Sequence, residues 1–301
     1  MATEPTALCR IRAPAKINLG LRVLGRRPDG FHEIETTFAA VDLYDDLECR
    51  RTDDDRVRFT WEAPDPGFHA GDLDAGESNL IVRAVRALER ARGFRAGLKI
   101  HLTKRIPIAA GLGGGSSDAA AALVAVDRLY HLGIPPTDLA VVGAELGSDV
   151  PFFLGPPCAR GRGRGEQLEP RKLFRDWWGA LVCPPLALKA GDIYAALDLT
   201  DRPSVPDTPQ SLDGDGFFDA IGRLCNDLQK AVISRAPVVL YWCERLMALG
   251  AQGAFVSGSG PTVVGIFRTP PDRRKLDELN TDDAQVFIVR PVDTPLAMVI
   301  G

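Results

Sequence analysis

The 301-residue chain lacks most of the features that announce a metal centre, a secreted scaffold or a membrane segment. Its six cysteines (Cys9, Cys49, Cys158, Cys183, Cys225, Cys243) and four histidines (His32, His69, His101, His131) lie far apart. They form no C-x-x-C pair and no metal-ligand spacing, which argues against a zinc site and a disulfide framework. No stretch approaches the ~18 apolar residues of a membrane span, and the N-terminal region has no signal-peptide apolar core. A cytoplasmic protein with reduced thiols and no membrane partner is expected. Positive charge is also in short supply: the net charge of −4 sets aside non-specific nucleic-acid binding. The one local exception, Arg-Gly-Arg-Gly-Arg-Gly over 160–165, reads as a mobile or phosphate-adjacent loop.

What is present is an ordinary soluble composition, 45% apolar and 25% charged, with room for two domains. Alternating residues predict strands over 8–24, 32–50, 56–62 and 98–103, with a turn at Arg27-Pro28-Asp29-Gly30. Helical spacing covers 79–92, the stretch after the glycines at 111–115 as far as Gly133, and 137–146. The last of these is capped by Thr137 or Asp138 and closed by Gly147. Beyond a composition shift near 155–165 come a strand at 178–183 and a short helix at 192–197. A Pro/Asp-rich loop at 200–216 leads to helices over 217–249, broken near Pro237, and to β stretches at 253–267 and 285–291. Helices and strands mixed without a strict βαβ rhythm predict an α+β fold. Its two domains are expected over 1–160 and 161–301.

The most informative segment runs from Pro107 to Leu123, where four glycines (Gly111, Gly113, Gly114, Gly115) lead through Ser116 and Ser117 into an alanine-rich helix. Serines at this point suit a helix cap, and the loop before them would aim backbone N–H groups and the helix dipole at one anion. A phosphate is the natural ligand. The bland alternative is that the glycines only permit tight packing. It is not a P-loop, because no lysine follows Gly115, and not a dinucleotide fingerprint, because Ser116 stands at the third glycine position.

Phosphoryl transfer on such a loop needs a cation and a base near the acceptor hydroxyl. Lys16, in an apolar strand, is the candidate cation, and equally a strand-end lysine reaching water. Asp149, between a helix end and Pro151, is the candidate base, and equally a capping aspartate. A second glycine loop, Ser257-Gly258-Ser259-Gly260, could approach a substrate or simply turn the chain.

Pro14-Ala15-Lys16-Ile17-Asn18-Leu19, Pro107 to Ser117, and Gly258-Ser259-Gly260-Pro261 together resemble the three motifs of the GHMP kinases. Gly25 to Glu33, Asn79-Leu80-Ile81, Gly147 to Pro151 and Asn226-Asp227-Leu228 narrow the match to the branch that acts on a cytidine-diphosphate-linked methylerythritol. The resemblance implies a two-domain fold with the active site in the inter-domain cleft. It also implies transfer of the ATP γ-phosphate, with Mg²⁺, to the 2-hydroxyl of that polyol, in the non-mevalonate route to isoprenoid precursors. Under it Asp149 is the base, Lys16 its partner, and Asn18 helps hold the acceptor. Pro107, Gly111, Gly113, Gly114, Gly115, Ser116 and Ser117 wrap the ATP phosphates, with Asn79 and Lys104 towards the adenosine. Phe31 stacks on the cytosine, His32 hydrogen-bonds its polar edge, Tyr194 supplies the opposite stacking face, and Gly258, Ser259 and Gly260 border the substrate. One departure is Ala190, where relatives carry a threonine four residues before the second aromatic; Lys189 beside it could substitute. The resemblance assigns no metal ligand and no oligomeric state. The alternatives are a homoserine- or mevalonate-type GHMP kinase and a nucleotide-binding sensor that has lost catalysis.

Overall fold

The computed structural model describes residues 7–64, 73–172, 174–197, 216–279 and 284–299. The loop expected over 200–216 lies almost entirely outside them. Two long antiparallel strands, β1 (Leu8–Arg26) and β2 (His32–Arg51), form the spine, joined by the turn at 27–30. β3 (Val57–Glu62), α1 (Leu80–Arg92) and β4 (Leu98–Thr103) make a crossover that sets β3 parallel to β4, and β4 lies antiparallel to the end of β2. α2 (Gly114–Leu129), α3 (Pro136–Leu146) and the single-turn α4 (Val150–Phe153) follow. A hairpin of β5 (Cys158–Arg162) and β6 (Gln167–Pro170) then returns to pair with the beginning of β2.

The rest of the chain builds a second, four-stranded sheet in the order β10-β7-β9-β8. Its strands are β7 (Trp178–Cys183), β8 (Gly253–Val256), β9 (Val263–Phe267) and β10 (Gln285–Val289). Helices α5 (Ala190–Ala195), α6 (Phe217–Ile221), α7 (Gln229–Arg235), α8 (Val238–Ala248) and α9 (Arg273–Asp277) accompany it. β11 (Ala297–Val299) leaves this half and pairs with β1, giving the first sheet its seventh strand. The mixture is α+β, as composition and pattern predict. No helix among the described residues is long and apolar enough to cross a membrane.

Three local expectations are corrected. α2 starts at Gly114, with Gly113 as its cap at φ +70°, so Ser116 and Ser117 lie inside the first turn; it ends at Leu129 rather than at Gly133. α3 is led in by Pro135 and Pro136 without a side-chain cap, and Gly147 after it is extended, not left-handed. The Arg-Gly repeat is a strand and hairpin turn rather than a free loop.

β1 shows how the fold makes a site. Its alternation puts Ala15, Ile17 and Leu19 into the core between the sheets. Lys16 and Asn18 therefore point the other way, into a cavity. The pairing with β2 shifts register between Asn18 and Leu21, where Gly20 takes φ +83°. Irregularities of this kind re-aim side chains beside functional sites. The two halves are stitched at the same place: the Leu21 N–H donates to the Cys225 carbonyl, the Asp227 N–H to the Leu21 carbonyl, and the Val23 N–H to Asp227 Oδ2 (2.8 Å).

Candidate active site

The glycine loop separates two cavities. One, of about 1100 Å³, is lined by Lys16, Asn18, Phe31, His32, Asp149 and Tyr194, with Gly258 and Ser259. The other, of about 400 Å³, is bounded by Asn79, Lys104, Pro107 and the loop from Gly111 to Ser116. Gly111, Gly113 and Ser116 face both. A ligand spanning the two cavities would pass the N-terminus of α2. There the N–H groups of Gly114, Gly115 and Ser116 precede the first helical bond, Ser117 N–H to the Gly113 carbonyl (2.9 Å). Dipole and N–H groups together favour an anion at this point.

The glycines also have packing reasons, so the bland reading holds for part of the loop. A Cβ on Gly111 would stand 2.3 Å from the Ser257 carbonyl oxygen. On Gly113 it would meet Lys16 Cγ at 2.9 Å, and on Gly114 Lys104 Nζ at 2.8 Å. Gly115 alone of the four has room, its nearest neighbour being Leu80 at 3.5 Å.

In the larger cavity, Lys16 Nζ donates to Asn18 Oδ1 (2.7 Å) and lies 3.4 Å from Asp149 Oδ2. Asn18 Nδ2 donates to Thr36 Oγ1 (2.9 Å), and the Thr36 hydroxyl donates to the Gly20 carbonyl (2.6 Å). This chain fixes which way the amide faces, and with it the lysine. Asp149 precedes α4 without capping it, and its side chain is 30% exposed. Ser257 Oγ accepts from the Asn18 N–H (3.3 Å) and donates to the Gly111 carbonyl (3.0 Å), joining all three motif segments. Asn226 Nδ2 holds the second glycine loop through the carbonyls of Val256 (2.9 Å) and Gly258 (2.7 Å). Gly260 stands at φ +68°, where a Cβ would meet Val256 at 2.9 Å.

At the far end of the cavity, Phe31 is half exposed and His32 stacks on Tyr194, ring centroids 4.9 Å apart. The Tyr194 ring thus lies on the histidine and borders the same cavity as Phe31. Partial burial, reinforced by the Arg26 charge, lowers the His32 pKa below its ordinary value, so the ring is neutral at pH 7. Burial, with the Asp149 charge adding to it, raises the Tyr194 phenol. Ala190 lines the cavity without a hydroxyl to offer.

Sequence reasoning placed Lys104 towards a nucleotide. It is 2% exposed and ion-paired to two carboxylates, Asp45 and Asp118. Asp45 also accepts the N–H groups of Arg105 (2.6 Å) and Ile106 (2.9 Å). Burial works against the Lys104 charge, but the two carboxylates more than offset it and raise the ammonium pKa. For Asp118 burial dominates; opposed by Lys104 and reinforced by Asp45, it holds that carboxyl well above the usual range. Asn79 is engaged as the cap of α1, accepting from the Ile81 N–H (2.8 Å) and donating to the Asp74 carbonyl (2.7 Å). Asp45 and Thr36 were missed from sequence, since nothing local to them signals a site; Arg164 was covered only by the reading of 160–165 as a mobile or phosphate-adjacent loop.

Comparison with known proteins accords with this geometry. Residues 79–155 match the GHMP kinases N terminal domain and residues 210–280 the GHMP kinases C terminal domain. The chain is 39% identical to the 4-diphosphocytidyl-2-C-methyl-D-erythritol kinase of Pelotomaculum thermopropionicum, over 95% of this chain and 97% of that one. The chain belongs to the 4-diphosphocytidyl-2-C-methyl-D-erythritol kinase family of GHMP kinases. A relative of the same description in Enterococcus faecalis is 37% identical over 85% of this chain and 88% of its own. A crystal structure of 4-(cytidine 5'-diphospho)-2C-methyl-D-erythritol kinase superposes with a TM-score of 0.74 at 33% identity, covering 94% of this chain and 99% of that one. A homoserine kinase from Cytophaga hutchinsonii superposes at 0.71 with 19% identity over 99% of both chains, a likeness of fold alone. GHMP kinases use ATP, and the family membership brings ATP as co-substrate to this site.

Proposed function

We propose that the chain transfers the γ-phosphate of ATP to the 2-hydroxyl of 4-diphosphocytidyl-2-C-methyl-D-erythritol. The observation that carries this reading is the Lys16–Asp149 pair, standing in a large cavity one glycine loop away from a second cavity of nucleotide size. Asp149 accepts the proton of the acceptor hydroxyl as the oxygen attacks phosphorus. Lys16, oriented by Asn18, stabilises the negative charge that gathers between acceptor and phosphate. The first N–H groups of α2 take the transferred phosphate oxygens. The half-exposed Phe31 ring offers a stacking surface to a pyrimidine, and the neutral His32 ring offers both a donor and an acceptor to its edge.

Mg²⁺ is part of the proposal. No group of three or more metal-ligating side chains exists among the described residues. Mg²⁺ on a nucleotide needs only one or two protein ligands beside the phosphates. Asp118 Oδ1 and Ser117 Oγ, both buried at the loop and without a hydrogen-bond partner, are the atoms that fit it. Bound there, the ion would neutralise charge on the polyphosphate. The division into units over 1–160 and 161–301 is likewise proposed; the change of sheet after β6 supports it, although the β5–β6 hairpin straddles the boundary.

The test is ADP release with Mg-ATP and the cytidyl substrate, run beside the same polyol phosphate without cytidine. Turnover confined to the cytidyl compound is expected. Turnover with neither, despite ATP binding, would overturn the reading in favour of a non-catalytic nucleotide binder.

A further inference from the structure

The Arg-Gly repeat over 160–165 has a structural reason at nearly every residue. Gly161 lies against Phe38, whose Cε2 would stand 2.6 Å from an added Cβ. Gly163 and Gly165 take φ of +71° and +108°, which only glycine adopts freely. Arg160 donates to Glu35 at 2.5 Å, and Arg162 stands 3.5 Å from the same carboxylate. The hairpin turn is tied to β2 through Gly163: its N–H donates to Glu33 Oε1 (3.1 Å), and its carbonyl accepts from the Ile34 N–H (2.7 Å). Glu33 also accepts from Arg27 (2.8 Å), which binds the hairpin to the turn preceding Phe31.

The side chain of Arg164 is less tied to the fold: its charge acts on the exposed Asp29 carboxylate in the turn preceding Phe31. Its guanidinium stands over the Phe31 ring, 4.6 Å from the centroid, and it lines the larger cavity together with Arg26 and His32. We propose that Arg164 is a specificity-determining residue for the nucleoside-diphosphate end of the acceptor; this rests on the cytidyl-kinase reading above. A guanidinium on a half-exposed ring is weakly held, so an incoming base can take its place. The planar fork then meets the diphosphate oxygens with paired hydrogen bonds. Because the backbone is pinned on one side at Gly163 and on the other by the Gly165 N–H donating to the Arg162 carbonyl (3.0 Å), only this side chain has to reorder.

Isothermal titration with CDP, at low and at high salt, tests this on wild type, Arg164→Gln and Arg164→Lys. The glutamine variant should bind CDP about tenfold more weakly and with a flatter salt dependence. In the kinase assay its loss should fall on KM for the acceptor rather than on kcat or on KM for ATP. The lysine variant, keeping the charge without the fork, should recover part of the affinity and the salt dependence. Unchanged CDP affinity in Arg164→Gln, or a loss spread equally over ATP and kcat, would overturn the assignment. So would failure of the wild type to bind CDP. ADP release by the wild type is read independently, so its absence would count against the proposed reaction and leave the Arg164 comparison standing on binding alone.

Discussion

Two lysine–carboxylate clusters flank the glycine loop, one touching Gly113 and the other Gly114, and they put the same chemistry to opposite uses. At Lys16 the carboxylate is single, 3.4 Å away, and faces a cavity. At Lys104 two carboxylates enclose the ammonium, and Asp45 is further held by two backbone N–H groups. A base must keep a lone pair accessible, and the proposed base Asp149 lines the larger cavity. Asp45 is committed to three donors and fixes the residues that follow β4 beneath the loop. Side-chain type does not separate the proposed catalytic cluster from the enclosed one; the number of carboxylates around the ammonium does.

Asp149→Asn should sharpen that contrast most. It should lower kcat by roughly 10²–10⁴ while leaving ATP binding and the melting temperature near wild type. Near-full activity would remove Asp149 from the mechanism. Lys104→Met should instead act first on stability, costing about 3–5 kcal/mol because two buried carboxylates lose their cation. A denaturant titration checks it, and an undiminished midpoint would show that the buried cluster is not structural. Phe31→Ala, far from both clusters, should cost about 1–3 kcal/mol in acceptor binding and nothing in ATP binding. A raised KM for ATP alone would move Phe31 out of the acceptor site.

The smallest effect is in pH. His32 has its pKa lowered, so its folded form resists protonation until the pH falls below the ordinary histidine value. KM for the acceptor should therefore stay level from pH 7 down through about 6.5 and rise only under more acidic conditions. His32→Gln should abolish that rise. A rise already complete at pH 7 would mean that the ring is charged when it binds.

The long strands were legible because alternation in β1 and β2 is strong and the turn between them is explicit. Lys16 and Asp149 were legible because each breaks an apolar context, and Asn18 through the resemblance alone; the structure brings all three to one cavity. The helix starts were not. Ser116 and Thr137 look like caps, but Gly113 can take positive φ and so begins α2 earlier, while Pro135 and Pro136 set the backbone of α3 without a side-chain bond. The hairpin over 158–170 was hidden because its glycines serve contacts with Phe38 that no local pattern reveals. Asp45 was invisible for the same reason: its partner, Lys104, lies just past β4, 59 residues away.

The hydrogen bond from Ser257 to the Gly111 carbonyl has a consequence for how this chain can change. Strand β1, the first glycine loop and the second glycine loop meet within one side chain's reach, with a Cβ on Gly258 only 3.0 Å from Asn18 Oδ1. A substitution in any of the three is felt as a displacement of the other two, so their effects will be strongly epistatic. Drift at 18, 111 and 257–258 is therefore confined to joint moves, and the three stretches mutate as one surface although the outer two lie 239 residues apart in the chain.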